Sequence, residues 1–333
     1  MKKTPLFHPL WVAGKRYYDL KSYFHNRFGT RVYKISLDAG FTCPNRDGRV
    51  ATGGCSYCDG RGSALRRQGP LPSITRQLED GKRLYRRLRK ASKFIAYFQT
   101  FTNTYAPVAR LRALYDEALA VPDVVGLAIG TRPDAVDRRV VDLLSAYAAD
   151  GEVWLEYGLQ SIHAATLARL NRGHDLECFA AAVELLRGSG IKLCVHVILG
   201  LPGETPAMML ETAAYVASLP LQGIKIHTLL LLEGTPLYEE YRRQPFPLLD
   251  REEYVRLVAA FLERLPPAVV VQRLTAEGYR DIFRAPDWAR NKLQVLQQLA
   301  DYLAAADTWQ GKKHPAGSAS PPPVAARPEP VRY

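Results

Sequence analysis

The chain has 333 residues, 47% of them apolar, and a formal net charge of +12 at neutral pH. That length fits one large domain or two smaller ones, and the apolar share is that of a globular protein. No run of about 18 uncharged apolar residues occurs, so no membrane-spanning helix is expected. The start, Met1-Lys2-Lys3-Thr4-Pro5, leads into no apolar signal-peptide core, so the expected location is cytoplasmic.

Residues 1–30 read as an N-terminal segment. From there to residue 240, short apolar or β-branched runs alternate with amphipathic helical patterns. The spacing predicts strands at 31–37, 93–98, 124–129, 152–157, 191–199 and 223–230, and helices at 108–119, 135–148, 176–186 and 207–218. Such alternation predicts parallel strands joined by right-handed crossovers. Six units make an α/β fold, a partial (β/α)6 TIM-like barrel, and active sites in such barrels lie at the C-terminal ends of the strands. The unusual polar residues do follow strands: the cysteine cluster after the first, Gln99-Thr100-Phe101-Thr102-Asn103 after the second, Thr131-Arg132-Pro133-Asp134 after the third, Gln160-Ser161 after the fourth and Gly200-Leu201-Pro202-Gly203-Glu204-Thr205 after the fifth. Residues 241–310 form a more helical C-terminal extension with one β-like run at 269–274. The final stretch, 311–333, holds six prolines among Gly, Ala and Ser, carries +3 of the net charge, and reads as a disordered tail.

The densest chemistry lies in Cys43-Pro44-Asn45-Arg46-Asp47-Gly48 and Gly53-Gly54-Cys55-Ser56-Tyr57-Cys58. Three thiolates this close, among glycines that let backbone fold around a ligand, fit an iron–sulfur or metal site with one open position. A closed zinc site wants four ligands. No fourth is evident nearby, since His25 lies 18 residues upstream and Cys178 and Cys194 read as buried small apolar residues. A zinc-stabilised, non-catalytic nucleic-acid-binding protein is the alternative from another class.

Several further features carry two readings. Gly200–Thr205 is either an ordinary turn with Thr205 capping the next helix, or a glycine turn that lets backbone lie against a flat ring. Gln160-Ser161 can cap or support the following helix. Arg172 and His174 are either helix-end cations or, for Arg172, a bidentate carboxylate binder. Residues 82–93 hold seven cations and no acid, with Leu84 and Leu88 as an apolar side. They form either a solvated outer helix face or a phosphate-contacting ridge. Arg61, Arg66 and Arg67 lie nearer the expected mouth. The basic balance fits a polyanion such as RNA or DNA, and equally a merely basic soluble protein.

Together these residues resemble the radical S-adenosylmethionine (SAM) superfamily over about residues 30–240. A narrower likeness, to a bacterial subfamily typified by YhcC, reaches about residue 300 through Cys-Pro-Asn-Arg-Asp-Gly, Tyr97–Ala106, and Arg284-Ala285-Pro286-Asp287-Trp288 with Asn291-Lys292. The Elongator catalytic subunit is a more distant likeness. The resemblance implies that Cys43, Cys55 and Cys58 ligate a [4Fe–4S] cluster and that SAM binds its fourth iron. An electron donor such as flavodoxin or ferredoxin then drives SAM to a 5′-deoxyadenosyl radical, which abstracts hydrogen from an unidentified substrate, possibly RNA. It further implies Tyr57, Gly200 and Gly203 near the adenine, Gln99 and Thr100 near the methionine amino group, and Arg172, twelve residues after Gln160, on the SAM carboxylate. The spacing departs from the commonest pattern, with eleven residues between the first two cysteines. His196 stands where some relatives carry an acid.

Overall fold

The computed structural model describes residues 8–12, 14–62 and 70–315. In chain order the elements are α1 (Leu20–Phe28), β1 (Val32–Leu37), α2 (Ile74–Arg89), β2 (Lys93–Phe98), α3 (Val108–Leu119), β3 (Val124–Thr131), α4 (Arg138–Asp150), β4 (Glu152–Gln160), α5 (Ala164–Arg169), α6 (Leu176–Glu184), β5 (Lys192–Leu199) and α7 (Pro206–Ser218). There follow β6 (Gly223–Thr228), β7 (Leu231–Leu232), α8 (Pro236–Arg243), α9 (Arg251–Arg264), β8 (Val270–Arg273), β9 (Phe283–Ala285) and α10 (Lys292–Ala305). One parallel sheet runs β1-β2-β3-β4-β5-β6-β8, and β7 pairs with β9 in a small antiparallel ribbon.

The six expected strands are all present and all parallel. The β-like run in the C-terminal extension is a seventh strand, paired with β6, so the extension completes the sheet rather than sitting beside it. The half-barrel stays open between β1 and β8. Lys34 Nζ spans the gap, donating to Gln272 Oε1 at 2.5 Å.

Strand residues alternate between two environments, as the pleat requires. One set, including Leu37, Phe94, Phe98, Leu127, Leu155, Val195 and Ile226, packs outward under the helices in the main apolar core. The inward set, Val32, Ile95, Tyr97, Ala128, Trp154, Cys194 and Val270, packs with Trp11, Tyr18, Tyr23 and Phe24. The N-terminal segment and α1 thus plug one end of the barrel. Helix α1 starts at Asp19, whose Oδ1 accepts from Ser22 N at 2.7 Å, and stops at Gly29 with φ 68°.

The basic run lies on and just beyond α2. There Lys82 is buried and bonded to Glu79, Arg83 pairs with Asp80 and Arg86 with Asp123. Arg87, Arg89 and Lys90 have no ion pair among the described residues. Of the Pro-rich stretch, 311–315 hydrogen-bond to the body, Gly311 N to Leu262 O and Lys313 N to Glu263 O. The rest, and Arg66 and Arg67, lie outside the described residues. No helix among those residues is long and apolar enough to cross a membrane.

At the plugged end Glu152 is fully buried and accepts from Tyr23 Oη, from Trp154 Nε1 at 2.7 Å and from Lys192 Nζ at 3.1 Å. Glu152→Ala orphans two buried donors, each costing about 1–3 kcal/mol. The expected loss is about 3 kcal/mol in urea unfolding at unchanged m-value, with a smaller loss for Glu152→Gln, which keeps an acceptor.

Candidate iron–sulfur and SAM site

The long gap between the first two cysteines is a hydrogen-bonded excursion. Cys43 O accepts from Arg46 N at 2.8 Å, Pro44 O accepts from Val50 N at 2.8 Å, and Asp47 and Thr52 form a bridge. Gly54 N then returns to Asn45 O at 2.8 Å, delivering Cys55 beside the start of the loop. Arg46 Nη2 locks the end by donating to the carbonyls of Cys58 and Asp59 at 2.9 and 2.8 Å. The eleven-residue spacing is therefore compatible with three cysteines on one site.

The turn after α5 holds this loop from the other side. Ser56 N donates to Leu170 O at 2.9 Å, Asn171 Nδ2 to Gly54 O at 2.9 Å, and Asn45 Nδ2 to Asn171 O at 2.5 Å. Gly173, at φ 68°, sits so close that an added Cβ would fall 2.5 Å from Asn45 Oδ1. Next to it Arg172 is buried, 4% exposed. Its Nη1 donates to Cys55 Sγ at 3.0 Å and to Tyr57 Oη at 3.2 Å; its Nη2 donates to Gly158 O at 2.6 Å and to His174 Nε2 at 2.8 Å. A Cβ at position 158 would stand 3.3 Å from Nη2, so glycine there makes room for the guanidinium. His174 accepts from Arg172, and burial followed by that cation pushes its pKa down to about 3. Burial pushes the Cys55 thiol up, but Arg172 and Arg132 outweigh it and the net shift is downward. Burial and the neighbouring Cys55 push Cys58 up to about 11.

The three cysteines line one cavity of about 1980 Å³, together with Tyr57, Gln99, Thr100, Gln160 and Arg172. Gln99 accepts from Ser36 Oγ at 2.8 Å. Thr100 Oγ1, Gln160 Oε1 and Arg172 Nε are buried without a hydrogen-bond partner, a condition native proteins rarely leave unexplained. Gln160 and Phe101 hold positive φ, 71° and 61°, at the strand ends that meet the cavity. Gly200 and Gly203 also have positive φ, but Gly200 abuts Leu249 and neither lines the cavity. Thr205 caps α7, accepting from Met208 N at 3.3 Å. Ser161 Oγ donates to Glu204 and accepts from His163 N. Arg61 pairs with Asp281 at 2.6 Å, tying the cysteine loop to the C-terminal extension.

Three cysteines on one cavity match the ligand number of a four-iron cluster with one open iron, whereas a closed structural zinc site takes four ligands.

Deeper in the barrel lies a polar layer that the strand pattern did not single out. Glu156, fully buried, accepts from Lys34 Nζ at 2.7 Å, from Lys225 Nζ, and from His196 Nε2 at 2.9 Å, so His196 carries its proton on Nε2. Lys225 Nζ also donates to Tyr97 Oη at 3.0 Å. Burial pushes Glu156 up, but Lys225, Lys34 and His196 overcome it and hold it well below the ordinary carboxylate range. Burial, then Lys225, pushes His196 down to about 4. The available signal was a charge at an inward position of an apolar strand, Lys34 in VYKISL and Lys225 in GIKIHT.

Residues 46–216, just over half of the chain, match the Radical SAM superfamily. The chain belongs to the radical SAM superfamily. Residues 221–305 match the radical SAM C-terminal domain. The chain is 43% identical to the uncharacterized protein YtqA of Bacillus subtilis over 94% of this chain and 96% of that one. It is 39% identical to protein YhcC of Escherichia coli over 83% and 89%. Over 45% of its length, and 28% of the relative's, it is 30% identical to a tRNA uridine(34) acetyltransferase of Methanocaldococcus infernus. Its fold is shared with the solved archaeal Elp3 of that organism at a TM-score of 0.58 and 20% identity, over 84% of this chain and 64% of that one. This radical SAM protein thus carries the fold, the family match and a clustered cysteine site together.

A pH series tests the polar layer. His196 binds its proton more weakly folded than unfolded, so its contribution is whole above the unfolded value of about 6.5 and is lost as pH falls towards 4. His174 and His227, also depressed, add to the same slope; the share of His196 is about 1.4 kcal/mol per pH unit between 6 and 5, read as the difference between wild type and His196→Gln in urea unfolding. His196→Gln should lessen the slope by that share.

Proposed function

We propose that the protein is a radical SAM enzyme in which Cys43, Cys55 and Cys58 ligate a [4Fe–4S] cluster whose open iron binds SAM. The observation that carries this reading is the convergence of the three cysteines with the unpaired buried atoms of Thr100, Gln160 and Arg172 on one cavity. Held by those three thiolates, a cluster would supply one electron, received from a flavodoxin- or ferredoxin-like donor, for the reductive cleavage of SAM to methionine and a 5′-deoxyadenosyl radical that would remove hydrogen from the substrate. The chain's residues orient and shield. Arg172 fixes Cys55 and offers Nε to a carboxylate, Gln99 and Thr100 offer acceptors to the methionine ammonium, and Tyr57 walls the site. Gly200 and Gly203 would serve the adenine only if Leu249 moves aside.

Anaerobic reconstitution followed by chromatography tests this. Cys55→Ala should lose the brown absorbance and reduce 5′-deoxyadenosine to the level of a protein-free control; formation at the wild-type rate would refute the ligand assignment. Arg172→Lys, which loses the planar fork, should weaken SAM binding about 10-fold.

A second reading gives this enzyme an RNA substrate. It is favoured by the unpaired cations Arg87, Arg89 and Lys90, which cluster at the end of α2 beside the start of β1, and by the partial likeness to an enzyme named for tRNA. RNA binding should then fall linearly with log salt, and Arg87→Gln with Arg89→Gln should reduce that slope by about 1–2. A salt-independent affinity would contradict it.

A further inference from the structure

We propose that the barrel interior below the cysteine loop is an anion-binding subsite, built by Arg273 with His227, that takes a carboxylate or phosphate group of the substrate. The placement of the substrate's other end at the cysteines rests on the reading given under Proposed function; the anion subsite itself does not.

The argument begins with charge. Three cations face this part of the cavity, Lys34, Lys225 and Arg273, and the only acid among the described residues in the layer is Glu156. Glu156 is shared by Lys34 and Lys225, with His196 as a further donor. Arg273 has no hydrogen-bond or ion-pair partner among the described residues. Its position is unfavourable in isolation, because Lys225 is its register neighbour across β6 and β8 and like charges directly opposite repel. Arg273 is half-buried on the cavity wall beside a second cation, and a ligand anion there would supply the counter-charge it lacks.

His227 Nε2, towards the C-terminal end of β6, is buried without a partner and its residue lines the cavity. His227 sits two residues beyond Lys225, hence on the same face of β6, with its ring 5.3 Å from that of His196. Burial first, then Arg273, holds its pKa well below the ordinary value. It is therefore a neutral imidazole, able to present one N–H. An arginine fork and a neutral imidazole that can turn its one N–H towards the cavity suit an oxyanion. Cys194, the remaining polar atom beneath, is a neutral thiol that burial pushes up to about 12. It places no negative charge in competition.

The subsite shares its cavity with Cys43, Cys55 and Cys58. A substrate anchored by its anionic group at Arg273 would extend towards the cysteine loop, so the anchor sets which carbon meets the chemistry.

Titration calorimetry on the reconstituted wild-type protein, with inorganic phosphate in one arm and acetate in the other, tests the proposal. Saturable binding of either probe is expected, and the tighter arm identifies the group. Arg273→Gln should weaken binding at least tenfold, while Arg273→Lys, which keeps the charge, retains part of it. Because Arg273 has no partner to lose, Arg273→Gln should unfold at no lower temperature than wild type. Binding of neither probe, or equal binding by Arg273→Gln, overturns the proposal. A protein that binds phosphate or acetate at Arg273 but forms no 5′-deoxyadenosine keeps the subsite and loses the enzymatic reading. One that forms 5′-deoxyadenosine without binding either probe loses the subsite alone.

Discussion

The Arg172 guanidinium is the contact on which the rest of the site depends. Its two terminal nitrogens join the sulfur of Cys55, the hydroxyl of Tyr57, the carbonyl of Gly158 and the ring of His174. Those atoms come from the cysteine loop, the end of β4 and the turn after α5, three pieces of chain with no backbone ladder between them. A planar, always-charged fork can hold all of them at once, whereas a lysine ammonium cannot reproduce the geometry. Being buried, the same charge favours the thiolate form of Cys55, which is the form that ligates metal. Glycines at 158 and 173 are the spatial condition for this arrangement.

The sheet supplies a second constraint. Seven parallel strands put alternate residues inward, and that inner column is graded from end to end. Aromatic residues from α1 and the N-terminal segment fill the closed end. The Glu156–Lys34–Lys225–His196 layer follows, and then the cysteine loop with its unpaired side chains. Lys34 on β1 reaches Gln272 on β8 across the open edge, so the C-terminal extension belongs to the barrel. Matches to the superfamily and to its C-terminal domain cover these two parts of the chain.

Much of the scaffold was legible in the sequence. Apolar runs placed β1 to β6 within a few residues, because strands buried on both faces read as continuous hydrophobic stretches. They ended too early at β3 and β4, where Gly130, Thr131, Gly158 and Gln160 continue the ladder with little apolar signal. Helix α1 was missed because it is short and polar on average, and it is held by packing rather than propensity. The run at 269–274 was seen as β-like, but its pairing with β6 is a long-range fact. The cysteines were the plainest feature, and Arg172 was singled out. Its bond to Cys55 spans 117 residues of sequence and Lys34 to Gln272 spans 238, separations at which no local pattern carries information.

The central claim is that the thiolates of Cys43, Cys55 and Cys58 hold an open four-iron cluster rather than a closed metal ion. Counting iron, acid-labile sulfide and zinc per chain after anaerobic reconstitution tests it most directly. The account predicts about four irons and four sulfides with no stoichiometric zinc. One zinc per chain with no sulfide would contradict it.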